Sequence, residues 1–132
     1  MADLEHEIRE RYLDRLDEAT WDDCDPCLDY GAQALPYFIA AFEAESTPSR
    51  RARLVRAIWQ FRDMAALSTL AMALNDSASE VWKDALDGIV TLGGRQALAV
   101  LTRARTALAA CPAETERLAW IDEAAAQVAK SM

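Results

Sequence analysis

The feature that most constrains this chain is an internal repeat. The segment from Leu54 to Leu67 lines up with Ala85 to Leu98 at an offset of 31 residues, with apolar positions matching at 55/86, 58/89, 61/92 and 67/98. The stretch Gly31-Ala32-Gln33-Ala34-Leu35-Pro36 resembles the start of the second helix of the same unit once more. A period near thirty with two helices per unit is the signature of an alpha solenoid, in which each pair buries its apolar face only against its neighbours. The expected fold class is therefore all-α, an alpha-alpha superhelix of six or seven helices forming a single domain over residues 1–132.

Helical periodicity and turn signals place those helices. Asp3 caps a first helix of about residues 4–18, along which Leu4, Ile8, Tyr12, Leu13 and Leu16 form one apolar stripe. Residues 21–30 read as a short irregular segment broken by Pro26, and Gly31 separates it from a helix containing Ala34, Leu35, Phe38, Ile39 and Phe42. Ser46 or Thr47 before Pro48 starts a helix over 48–61, and Asp63 opens another that runs through Leu74. Asn75-Asp76-Ser77 is the next turn, a helix follows over 79–92, and Gly93-Gly94 stops it. Residues 95–110 form a further helix, and Pro112 begins the last, 113–130.

Composition excludes several classes. No stretch approaches the ~20 consecutive apolar residues of a membrane span, and the N-terminus is charged where a signal peptide would be apolar, so a cytoplasmic protein without membrane contact is expected. Three cysteines do not suggest a disulfide framework in a chain large enough to bury its own core. Residues 1–30 hold eleven acidic residues and three arginines, a surplus of eight that equals the charge of −8 on the whole chain. Acidity is thus confined to one end, where it repels phosphate backbones and favours a basic protein surface, so a protein partner is expected and nucleic acid is not.

At Asn75-Asp76, Glu80-Val81 and Ile89 to Gly93 the chain resembles the HEAT-repeat family in its short bacterial form: an Asp-rich turn, a first helix ending in Gly and a second opening with Ala-Leu. The resemblance spans about residues 31–110 and speaks for fold more than for function. Small HEAT-like proteins are similar in size to the immunity partners of bacterial toxins, and others in the family are adaptors. The resemblance thus implies a protein-binding role, either as an inhibitor of a basic toxin or as a general scaffold. Family members that are metal-dependent hydroxylases carry paired His-Glu motifs, and this chain has none.

Candidate chemistry is sparse. Cys24-Asp25-Pro26-Cys27 has the spacing of a zinc or redox pair, but a structural zinc needs four ligands and only Cys111 and His6 remain. Neighbouring carboxylates would also raise the thiol pKa. His6 reads as a solvated side chain, and no nucleophile is partnered to it, so no catalytic residue, metal or cofactor is expected. Asp22, Asp23, Asp25 and Asp29 lack the Gly and terminal Glu of a calcium loop and read as a solvated or partner-facing patch.

The partner-binding surface is expected to combine Trp21 and those four aspartates with Trp59, Trp82 and Asp84. Trp82 occupies the position equivalent to Arg51 in the earlier repeat and is expected to be largely exposed, as an interface tryptophan would be. Stacking of equivalent helices predicts two ion pairs, Arg53 with Asp84 and Arg56 with Asp87; a charge without its counterpart would become a candidate partner contact.

Overall fold

The computed structural model describes residues 2–18 and 30–132, and among these there are seven α-helices and no strand. They are α1 (Ala2–Arg11), α2 (Leu35–Ala44), α3 (Pro48–Gln60), α4 (Leu67–Leu74), α5 (Ser79–Leu92), α6 (Gly94–Leu108) and α7 (Thr115–Lys130). Short 3₁₀ turns precede α2 (Gly31–Ala34), α4 (Met64–Ala66) and α7 (Pro112–Glu114), and another, Leu13–Arg15, follows α1. The segment carrying Trp21, Cys24, Cys27 and the aspartates 22, 23, 25 and 29 lies outside the described residues.

The all-α expectation holds. Helices start and stop close to the turn signals, with Pro48 opening α3 and Gly93 closing α5 in the left-handed region at φ 63°. Only glycine adopts such a backbone readily, which is why α5 ends there. The first helix is shorter than expected. It ends at Arg11 because Tyr12 leaves helical geometry (φ −126°) and turns its ring edge-on to Tyr30 and Phe38, at 6.0 and 5.8 Å between centroids. Asp63 does cap the turn after it, its carboxylate accepting from the Ala65 amide at 2.9 Å, but a 3₁₀ turn intervenes before α4.

Packing passes between alternate helices as well as consecutive ones. The most extensive contact is α3 on α5; α5 also meets α4 and α7, α6 meets α7 and α4, and α2 meets α3. Being enclosed by α3, α4 and α7, α5 buries an arc wide enough to take Val81, Trp82, Asp84, Ala85, Leu86, Gly88 and Ile89 out of solvent. Fully burying a Val, Leu or Ile side chain contributes roughly 1.5–3 kcal/mol. Such residues, from Ile8 to Val128, form one continuous cluster.

The α3–α5 crossing has a different register from the one expected. At Gly88 an added Cβ would lie 2.5 Å from the Trp59 Cβ, so α3 approaches α5 closely with Trp59 seated on the glycine. This aligns residue 59 with 88 rather than 90 and shifts the charge ladder with it. Arg56, not Arg53, meets Asp84 at 3.3 Å, while Asp87 is exposed. Arg53 instead donates to the backbone carbonyls of Leu16 and Glu18, tying α3 to the end of the N-terminal segment.

The connection between α2 and α3 is fixed by charged side chains. The sequence offers Ser46 or Thr47 as the cap of α3, but no cap bond comes from the Thr47 side chain. Glu45 does that service from one side: its carboxylate accepts the Thr47 and Ser46 amides at 3.0 and 3.1 Å and meets Arg50 Nε at 3.0 Å. The Thr47 amide, followed by Arg50 and the Ser46 amide, holds the Glu45 carboxyl below its ordinary value against the opposing effect of burial. A carboxyl depressed on folding stabilises the native state above its unfolded pKa of about 4.3 and loses that contribution as pH falls through the lower folded value. Glu45→Gln should therefore unfold with a shallower loss of stability below about pH 4.3 than the parent chain. Parallel urea titrations from pH 3 to 6 with identical slopes would refute this.

Candidate functional site

Of the residues singled out from the sequence, Trp59, Trp82 and Asp84 are described, and these three do not share one exposed surface. Trp82 is not the exposed tryptophan; it is 4% exposed and lies beneath α7. Its ring meets Trp120 edge-on at 6.1 Å between centroids, and Arg117 stands 5.1 Å from it. Arg117, itself only 7% exposed, donates to the Leu74 carbonyl at 3.1 Å and lies 3.0 Å from Glu114. A tryptophan there is a packing element that α7 locks in place. Asp84 is likewise buried and paired with Arg56, which makes it a cross-link between α3 and α5.

Among the described residues, Trp59 is the predicted one that borders an opening. It is half-buried and borders a cleft of about 360 Å³ whose walls are α3, α5 and α7. From α5 come Leu86, Asp87, Val90 and Thr91, and from α7 come Trp120, Glu123, Ala124 and Gln127. The volume is at the small end of ligand-sized sites. Two indoles and two carboxylates line it, with no basic residue. Trp120 is 42% exposed, and Asp87 and Glu123 are both exposed.

Local sequence explains this wall. On α7, Arg117, Ile121, Ala124 and Val128 form the buried stripe, and Trp120, Glu123 and Gln127 recur at three- and four-residue steps beside it. An aromatic on the flank of a helix whose core stripe is already complete is the signal that marks Trp120, a residue absent from the sequence-based site. Within the described residues Asp122 pairs with Arg105, whereas Glu123 and Asp87 make no ion pair there.

A larger groove of about 750 Å³ runs between α4 and α6, past Met64, Ala71, Gln96, Ala99, Val100 and Arg103. Its single charged lining residue is basic, and none of the aromatic or acidic residues discussed above borders it.

Among the described residues no three His, Cys, Asp or Glu side chains stand together to hold a metal ion. His6 pairs with Glu10 at 3.1 Å on the exposed surface of α1, and Cys111 is an exposed free thiol. No described helix is long and apolar enough to cross a membrane. Comparison with family models, with curated proteins and with solved structures gives no match to this chain.

Proposed function

We propose that this chain is a non-catalytic protein-binding module of the HEAT-like type whose partner presents a basic surface. The observation that carries this reading is the cleft at Trp59 and Trp120, bordered by Asp87 and Glu123 and by no basic residue. Rigid aromatic side chains beside carboxylates that make no ion pair among the described residues suit an Arg- or Lys-bearing protein surface, through ring–cation attraction and charge complementarity. The excess of acid in residues 1–30 adds a long-range field of the same sign. Contacts between alternate helices support stacked helix pairs as the scaffold.

In its sharpest form the module is an immunity-type inhibitor, a cytoplasmic protein covering the positive groove of a bacterial toxin and binding neither nucleic acid nor membrane. A second reading, a general adaptor or scaffold, draws on the apolar groove between α4 and α6, which suits a helix from another protein. Affinity should decide between a charge-driven and an apolar mode. For a partner recovered by affinity capture, association should slow on the order of tenfold between low and physiological salt. Reversing Asp22, Asp23 and Asp25 to lysine should weaken it further. A partner whose association ignores both changes would rule out the charge-driven reading.

A further inference from the structure

We infer that the cleft between α3, α5 and α7 is a socket for a single arginine side chain of the partner, a claim that rests on the basic-partner reading above. Its walls supply what a guanidinium needs: the indoles of Trp59 and Trp120 as faces, and the carboxylates of Asp87 and Glu123 as acceptors. The planar, weakly hydrated guanidinium stacks on rings and donates in a fork, which favours arginine over lysine at such a place.

The chain already treats its own tryptophans in this way. Arg117 lies 5.1 Å from the Trp82 ring centre, and Lys83 Nζ lies 4.8 Å from that of Trp120 while paired with Glu116 at 3.4 Å. Neither cation lines the cleft. Trp120 is held by its edge contact with Trp82, so it meets a partner as a fixed wall at little entropic cost. The Trp59 Nε1 donor is buried and finds no acceptor among the described residues, so the cleft offers a partner the ring of Trp59 and not its N–H.

The test uses the full chain labelled with nitrogen-15 and two capped tripeptides, Gly-Arg-Gly and its citrulline counterpart, followed by NMR. Citrulline keeps the shape of arginine and removes its charge. Trp59→Phe and Trp120→Phe assign the indole signals. The arginine peptide should shift the Trp59 and Trp120 indoles saturably with a Kd on the order of millimolar, as suits one side chain. The citrulline peptide should bind at least about tenfold more weakly, and Asp87→Asn with Glu123→Gln should abolish the difference. Both carboxylates are exposed, so this double variant keeps its fold. Equal binding of the two peptides overturns the socket. Shifts confined to residues 1–30 overturn it too, yet leave the basic-partner reading standing. That reading fails separately, if the captured partner binds with no dependence on salt.

Discussion

Gly88→Ala is expected to lower the unfolding free energy by about 1–3 kcal/mol, as overpacked core sites do. The direction is the informative part, since the same change inside an exposed helix stabilises by about 1 kcal/mol through helix propensity. At residue 88 the new methyl would meet Trp59 at its Cβ (2.5 Å), Cγ (2.8 Å) and Cδ1 (3.0 Å). The Cβ cannot swing aside as a flexible side-chain end would, so α3 has to lift from α5 and loosen the most extensive helix contact in the fold. Urea denaturation gives the number. Trp59→Ala alone should also destabilise, but adding Gly88→Ala to it should cost little or even help, which is the non-additivity expected of two groups in contact. A more stable Gly88→Ala chain would mean that the helices do not cross so closely.

Arg51→Ala should cost about 2–4 kcal/mol, in the range for removing one partner of a largely buried charged network. The guanidinium joins two connections at once. It donates to the Glu45 and Phe42 carbonyls at 2.7 and 3.2 Å, meets Asp76 at 2.8 and 2.9 Å, and stacks over the Phe42 ring at 4.3 Å. Asp76 in turn accepts the Ala78 amide at 3.0 Å and so starts α5. Truncation strands a carboxylate and two carbonyl groups whose water has been excluded. Arg51→Lys should recover only a minor part, because an ammonium ion cannot span the same acceptors or cover the ring. Thermal melts of both variants beside the parent test this, and a lysine variant as stable as the parent would show that charge alone matters.

These two positions also show what the sequence conveyed and what it withheld. The helices were legible because their limits are set by local chemistry: Pro48 and Pro112 at starts, Asn75-Asp76-Ser77 as a turn, Gly93 as a stop. The register between helices was not, because it depends on where two surfaces approach most closely. The repeat offset sets residue 59 against 90 and Arg56 against Asp87, while the close approach at Gly88 brings Trp59 onto residue 88, two positions back, and Arg56 onto Asp84, three back.

Trp82 differs from expectation for a related reason. Equivalence with Arg51 implies exposure only where Arg51 is itself exposed, and it is half-buried against Phe42 and Asp76. In the later unit the same position lies under α7, where an indole replaces the arginine stem as filler. Trp120 carries no repeat signal because it belongs to the helix outside the repeat pattern, so only its place beside the completed stripe of Ile121, Ala124 and Val128 marks it.

Trp59 stands at once in the notch of Gly88 and on the rim of the cleft. The smallest residue of α5 therefore acts as a mechanical spacer: how deeply α3 sinks at that notch decides how wide the opening gapes toward Trp120. A neighbouring chain wedged into the opening would bear on the same notch, so the tightness of the interior and the width of the opening are two readings of one dimension.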